Sequence, residues 1–374
     1  MKILYYTCRD MTETSSGINK KIFSQAKALE KLGCEVDLVY RINDCEMMLK
    51  NSEGEKIIAS KLKRPYKIAA SKAVREFIKG KIYAGVYIRY PYMDNQFYIL
   101  LKELKKKNTK IIVEIPTYPY DEELKDGLEN RIVLFLDKMY RESMHLFVDR
   151  IVIFSRENNI YNIPTIKTSN GVDYDTIRMR CPKDNGNEIH LIAVAEVAKW
   201  HGYERLYKGL GEYYKNGGDR KVVMHLVGDG PMMKEYKQIV QEYGIEEYCI
   251  FHGRKHGEEL DEIYDTCNIG IEVLAAFRKN IKVSSSLKSR EYMAKGLPFV
   301  LAGELDLFNE KNFICKVPSD ETNIKIVDII DFYDRTYENR TYLDVAEEIR
   351  KLSEKHCSMQ SVMMPIVKFF EIKG

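Results

Sequence analysis

Apolar positions recur along the chain in two alternating periods. Ile3 to Thr7 reads as a buried strand, and from Ile18 to Leu32 the residues Ile22, Phe23, Ala26, Leu29 and Leu32 fall at helical spacing. Gly33 ends that helix before a second strand, Val36 to Tyr40, which completes a βαβ unit. Further strands are predicted at Gly85 to Arg89, Lys110 to Ile115 and Arg150 to Phe154, with helices around Lys67 to Ile78, Gln96 to Lys107 and Asn130 to Phe147. Strands alternating with helices imply a parallel sheet covered on both faces.

A polar stretch, Cys181-Pro182-Lys183-Asp184-Asn185-Gly186-Asn187, has the turn chemistry of a linker, and the alternation then restarts. Strands are predicted at Ile189 to Ala195, Val222 to Val227, Cys249 to His252, Ile269 to Val273 and Pro298 to Leu301. Helices are predicted near Tyr203 to Tyr214, Met232 to Tyr243, Glu258 to Thr266 and Leu287 to Ala294. Helical patterns at Tyr342 to Lys355 and Met359 to Phe370 close the chain. The expected fold is α/β, with two Rossmann-like, doubly wound parallel-sheet domains whose strand carboxyl ends face each other across a cleft. The expected division is 1–175, a linker 176–188, a second domain 189–355 and a final helix 356–374 that returns to the first domain. A length of 374 residues supports two cores over one.

Composition is that of a folded globular chain, 45% hydrophobic and 31% charged. Neither a signal peptide nor a membrane span is legible, so a cytoplasmic location is expected. The eight cysteines are scattered without metal-ligand spacing, which points to free thiols and not to zinc or a disulfide framework. Net charge is only +3, but residues 61–110 hold 14 basic side chains against 3 acidic ones. Such a density attracts anionic lipid at the inner face of the cell membrane, and it also suits a solvated helix face. Nucleic acid is not an expected partner, because the basic run lacks a known aromatic-interleaved motif.

Three loops carry candidate chemistry. Ser15-Ser16-Gly17-Ile18 opens the first helix, where a glycine admits an anion close to backbone amides. Gly228-Asp229-Gly230-Pro231 turns a strand into a helix, and a tight turn explains its glycines equally well. Ser284-Ser285-Ser286-Leu287-Lys288-Ser289-Arg290-Glu291 gathers hydroxyls, free amides, two cations and a carboxylate at one helix start. The cations suit a diphosphate and the carboxylate suits a ribose diol; Lys288 and Glu291, three apart, also make an ordinary surface pair.

Glu291-Tyr292-Met293-Ala294-Lys295-Gly296-Leu297-Pro298-Phe299-Val300 resembles the E-[AY]-M-A-x-G-x-P-V signature of retaining glycosyltransferase family 4, which has the GT-B fold. Other segments resemble that family in the same order: Gly17, Ser169-Asn170-Gly171-Val172-Asp173, Gly228-Asp229-Gly230-Pro231 and Phe251-His252-Gly253. The resemblance implies transfer of a sugar from a nucleotide-diphosphate sugar to a saccharide or lipid-linked saccharide, as in surface polysaccharide synthesis. Donor contacts are then implied for Gly17, Lys199, Gly228, Gly230, His252, Gly253, Ser285, Ser286, Arg290 and Glu291. Lys288 resembles the lysine of a K-x-x-E-[YF]-M-A subgroup and is placed on the diphosphate. Glu114 and Thr117 occupy the neighbourhood where typical members carry a sugar-contacting histidine, and they complete the candidate catalytic set.

The chain departs from the family pattern at three positions. Val283 stands where the family has the first glutamate of its E-x7-E motif, and Glu196 and His201 replace an arginine and a lysine that bind phosphate. The implied mechanism is front-face retention, with leaving-group charge stabilised by cations and helix amides. Neither a metal nor a separate cofactor is implied, since Asp173-Tyr174-Asp175 extends the N-G-V-D turn and ends no mid-domain strand. A GT-B nucleotide-sugar 2-epimerase is the alternative enzyme, and a catalytically silent partner of a transferase is the alternative of another class.

Overall fold

The computed structural model describes every residue except 15, 126, 156, 307–311 and 373–374, together with the side chain of 122. Strands, in chain order, are β1 Lys2–Asp10, β2 Glu35–Ile42, β3 Glu46–Asn51, β4 Gly54–Ala59, β5 Gly85–Arg89, β6 Lys110–Glu114, β7 Arg150–Ile153, β8 Asn159–Ile160 and β9 Ile163–Lys167, then β10 Ile189–Glu196, β11 Val222–Asp229, β12 Cys249–Gly253, β13 Ile269–Ile271, β14 Val283–Ser284, β15 Phe299–Ala302, β16 Glu304–Leu305 and β17 Ile314–Val317. Helices are α1 Gly17–Lys31, α2 Tyr66–Phe77, α3 Asn95–Lys106, α4 Leu128–Tyr140, α5 Tyr203–Lys215, α6 Met233–Tyr243, α7 Gly257–Thr266, α8 Leu287–Lys295, α9 Ile326–Tyr337, α10 Tyr342–Cys357 and α11 Met359–Glu371.

The chain forms two compact units, residues 1–169 with 359–374, and residues 170–358. In the first, nine strands run in the order β4-β3-β2-β1-β5-β6-β7-β9-β8. The pairs from β2 through β1, β5, β6 and β7 to β9 are parallel, and the apolar runs of β1, β2, β5, β6 and β7 are largely buried on both faces. The antiparallel β2-β3-β4 edge is absent from the expected elements. Asn43 and Asp44, both at positive φ, make the turn that joins β2 to β3, and these residue types tolerate that conformation. Helix α11 packs against α1, with Phe370 so close to Gly85 that a Cβ there would lie 2.5 Å from its ring.

The second unit has six parallel strands in the order β12-β11-β10-β13-β15-β17, a doubly wound arrangement with crossovers on both sides of β10. Strand β17 and helix α9 add to the elements expected from the sequence. Residues 176–188, expected to be a linker, lie within this unit. Arg180 is 1% exposed, and its guanidinium donates to the carbonyls of Cys267 (2.7 Å) and Gly296 (3.2 Å) and to the Tyr337 hydroxyl (3.0 Å). Asn170-Gly171-Val172-Asp173 also belongs to the second unit, not to the end of the first. Among the described residues no helix is long and apolar enough to cross a membrane.

Candidate functional site

Helix α8 begins at the carboxyl end of the second sheet, and its first turn is built by side chains from four places in the chain. Ser286 is the N-cap: its hydroxyl accepts from the Ser289 amide (3.1 Å) and donates to the Glu272 carboxylate. Glu272, directly after β13, is fully buried, and its other oxygen accepts from the Val273 amide at 2.5 Å. Asn170 fixes the preceding residue, donating through its amide to the Ser285 hydroxyl (3.0 Å) and through Nδ2 to the Ser285 carbonyl (2.6 Å). The serine motif and the N-G-V-D motif are therefore one assembly.

Lys288 projects from that first turn and donates to the Tyr203 hydroxyl at 2.6 Å. Burial pushes its ammonium down to about 8, against the opposing pull of Glu272 and Glu291. Glu291 stands half-buried beside it. Arg290 faces the other way. It is fully buried, donates from Nε to the Asn170 carbonyl (2.9 Å) and pairs with Asp306, so these contacts hold the loop beneath the helix start.

Beside α8 lies an aromatic stack that opens α5. Trp200 and His201 rings stack at 4.2 Å, and His201 and Tyr203 at 5.4 Å. The Ala198 amide donates to His201 Nδ1 at 3.0 Å. Burial, reinforced by the Lys288 and Lys279 charges, pushes the His201 imidazole down to about 3, so it is neutral at ordinary pH. Lys279 sits over the Trp200 ring at 4.5 Å. Lys199 is exposed, and its carbonyl accepts from Arg278 at 2.5 Å. Thus the Lys279 and Lys288 charges converge on His201. Lys279, Glu272 and Tyr203 are absent from the candidate set. An acid inside the apolar run Ile269 to Val273 was the one sequence signal for Glu272.

Gly228 and Gly230 hold the turn after β11. Both have positive φ, and a Cβ would lie 1.8 Å from the Ala195 carbonyl oxygen at Gly228 and 2.4 Å from that of Val197 at Gly230. Close passage of the β10 backbone thus accounts for both glycines. His252, followed by Gly253 at the end of β12, belongs to a row of imidazoles crossing three strands. Its Nε2 is 2.9 Å from His225 Nδ1, and His225 Nε2 is 2.8 Å from His190 Nδ1. That row gives His252 a structural partner within the sheet.

In the first unit a cavity of about 600 Å³ opens at the carboxyl ends of β1, β2, β5 and β6. Arg9, Arg41, Lys67 and Arg89 line it together with Tyr90, Tyr92, Tyr120 and Thr117. Lys67 lies over the Tyr92 ring at 4.5 Å. Glu114 is not in the lining. It is fully buried beneath, accepting from Arg89 (2.5 Å), Gln25 (2.7 Å) and Tyr87, with Lys21 at 3.8 Å. Burial raises its carboxyl, but the Lys21 and Arg89 charges and these hydrogen bonds outweigh that and hold it below the ordinary range. A carboxylate so held acts as a counter-ion to Lys21 and Arg89 and lies outside the cavity lining. Gly17 is exposed at the first turn of α1, and Ser15 of the same motif lies outside the described residues.

Residues 177–303, all within the second unit, match the family model described as glycosyl transferases group 1. No curated protein sequence matches the chain. Among solved structures, sucrose-phosphate synthase from Thermosynechococcus elongatus is similar at 14% identity and TM-score 0.61, over 99% of this chain and 98% of that one. The catalytic domain of starch synthase IV from Arabidopsis thaliana, bound to ADP and acarbose, is similar at 11% identity and TM-score 0.60, over 99% and 98%. Anabaena HepE in complex with UDP-glucose is similar at 11% identity and TM-score 0.57, over 99% of each chain. The fold is that of the GT-B glycosyltransferases.

Proposed function

We propose that this glycosyltransferase takes its donor, a nucleotide-diphosphate sugar, at the start of α8 and transfers the sugar with retention to a saccharide held by the first unit. The observation that carries the reading is the convergence of Lys288, Lys279, the Ser286-capped helix start and Glu291 at the carboxyl end of the second sheet. Helix amides and two cations stabilise a diphosphate as it leaves, and Glu291 accepts hydrogen bonds from a ribose diol. The reading is supported by the UDP-glucose of the HepE structure and the ADP of the starch synthase structure, each bound to a protein of this fold. Lys288 and Lys279 replace the family's phosphate-binding pair, with Lys199 as a third cation at the rim. Ser285, Gly228, Gly230 and Gly253 shape the surrounding loops, and Gly17 offers open backbone at the first turn of α1.

Thr117 lines the acceptor cavity with Arg9, Lys67 and the three tyrosines. Aromatic faces beside hydrogen-bonding cations suit a saccharide. Surface polysaccharide synthesis on a lipid-linked acceptor suits the basic stretch 61–110, which would meet the inner face of the membrane. The scheme requires neither a metal nor a further cofactor.

Incubation with a panel of UDP, GDP and ADP sugars tests the reading. Release of nucleoside diphosphate from one donor, abolished in Lys288→Ala, is expected. Interconversion of donor sugars without transfer would favour the epimerase, and binding without turnover would favour the silent partner.

A further inference from the structure

The cations of the first unit's cavity do not all have counter-ions. Among the described residues Arg9, Arg41, Lys67 and Arg89 line it against two carboxylates, Asp10 and Glu123. Arg41 pairs with Asp44 and lies 3.6 Å from Asp10, so its charge is met by the loops beside it. The Asp10 oxygens are also engaged there, accepting from the Thr12 amide (2.9 Å) and hydroxyl (2.6 Å) and from the Asp44 amide (2.8 Å). Arg89 shares the buried Glu114 with Lys21. Arg9 and Lys67 differ. Among the described residues neither forms an ion pair: Arg9 donates to the neutral Asn19 side-chain carbonyl (2.7 Å) and Ser16 hydroxyl (3.5 Å), and Lys67 lies over the Tyr92 ring. Glu123 is exposed and, after burial, raises the Tyr92 hydroxyl, yet it pairs with neither cation. Burial and the charge of Arg89 hold the Arg9 guanidinium below its usual range, against the pull of Glu13 and Asp10. A bound anion would relieve that repulsion.

The aromatic side of the same cavity is fixed before any ligand arrives. Tyr92 has φ +68°, a conformation that a bulky side chain enters only where its surroundings enforce it. Asp137 of α4 supplies the enforcement. It is fully buried and accepts from the Met93 amide (2.8 Å), the Tyr90 hydroxyl (2.5 Å) and the Tyr120 hydroxyl (2.7 Å). The Tyr92 ring packs against Tyr90 and Tyr120 at 5.7 and 5.4 Å, and of the three it is the one left part-exposed. One carboxylate behind the wall thus holds the three tyrosines of the lining. A ring so held meets the apolar face of a sugar at little entropic cost. A neutral saccharide seated there would displace water from Arg9 and Lys67 and give them no counter-ion, which is unfavourable. A saccharide with its own negative charge meets both requirements, and the cavity discriminates between the two.

We propose that the first unit selects an anionic saccharide, a sugar bearing a carboxylate or a phosphate, with Arg9 and Lys67 on the anion and the sugar ring on Tyr92. This inference rests on the reading of the cavity as the acceptor site and adds the charge class of the acceptor. The test is calorimetric titration of the full chain, at fixed ionic strength, with methyl glucoside, galactoside and mannoside, the corresponding uronic acids and the corresponding sugar phosphates. At least one charged form is expected to bind about tenfold or more tightly than its neutral parent, as charge-assisted hydrogen bonds require. Whether the carboxylate or the phosphate form gains more tells an acidic sugar from a sugar phosphate. Arg9→Gln and Lys67→Gln are each expected to reduce the preference, and Lys67→Glu to reverse it. Binding of UDP, GDP and ADP, measured alongside, is expected to be unchanged in these variants. Neutral and charged forms bound alike, or no charged form bound, would overturn the inference, while nucleotide binding would leave the donor reading standing. Inorganic phosphate bound as tightly as every sugar phosphate would overturn the saccharide. Nucleotide binding lost in Lys67→Glu, at an unchanged melting temperature, would assign these cations to the donor and overturn the inference as well.

Discussion

The Lys288 ammonium donates to the buried Tyr203 hydroxyl at 2.6 Å, which ties the first turn of α8 to the aromatic stack that opens α5. Burial holds this lysine near 8, so it loses its charge just above neutral pH. A diphosphate favours the charged form, so donor affinity is fully present below pH 8 and declines as the proton is lost above it. Calorimetric titration of the nucleoside diphosphate is expected to show binding weakening by up to about tenfold from pH 8 to pH 9, with proton uptake on binding. A flat profile would remove Lys288 from the diphosphate.

His225 sits between His190 and His252, and burial together with both neighbours pushes it down to about 3. Its folded value lies below its unfolded one, so the neutral imidazole stabilises the protein above the unfolded value near 6.5. That stability is lost as pH falls from there towards 3, by about 1.4 kcal/mol per pH unit for each such histidine. Urea unfolding between pH 7 and pH 5 is expected to show this slope, made shallower in His225→Gln. An unchanged slope in the variant would contradict a buried neutral row.

Arg290 and Glu291 are neighbours with opposite expected effects. Arg290→Met removes the buried guanidinium that donates to Asp306 and to the Asn170 carbonyl and is expected to cost about 3 kcal/mol of stability. Glu291→Gln is expected to cost less stability than Arg290→Met and to weaken nucleotide binding. Denaturant unfolding and nucleotide titration of both variants separate the two roles. Equal stability losses would contradict the division.

The two glycine loops divide in the same way. At Gly228 an added Cβ would lie 1.8 Å from the Ala195 carbonyl oxygen, whereas at Gly17 nothing lies within 4 Å. Gly228→Ala is therefore expected to lower the melting temperature strongly or to prevent folding. Gly17→Ala, at a helical position, is expected to keep or slightly raise it while reducing donor turnover. Full turnover in Gly17→Ala would leave that glycine without a role beyond starting α1.

Periodicity made the parallel sheets legible because buried strands and amphipathic helices each carry a strong repeat. It failed at β3-β4, where β4 is exposed on most of its length and has little pattern to read, and at β17, which is four residues long. Helix α9 has buried Ile326, Ile329 and Tyr333 at helical spacing and is nonetheless absent from the expected elements. The start of α8 was legible because its hydroxyls, cations and carboxylate are contiguous in sequence. Glu272, Tyr203 and Lys279 reach it only through the sheet and the loops around it, so linear spacing held no sign of them. Glu114 shows the converse. An acid at a strand end suits catalysis until Lys21 and Gln25 of α1, distant in sequence, close over it. Arg290 likewise shares a helix turn with Lys288 but turns into the interior.

The central claim is that the start of α8 holds the diphosphate of a nucleotide sugar through Lys288. Calorimetric titration of UDP, GDP and ADP into wild type and Lys288→Ala tests it most directly. One nucleotide is expected to bind wild type and to bind the variant at least about tenfold more weakly, as loss of a charge-assisted contact requires. Equal binding by the two proteins, or no binding of any of the three to wild type, would contradict it.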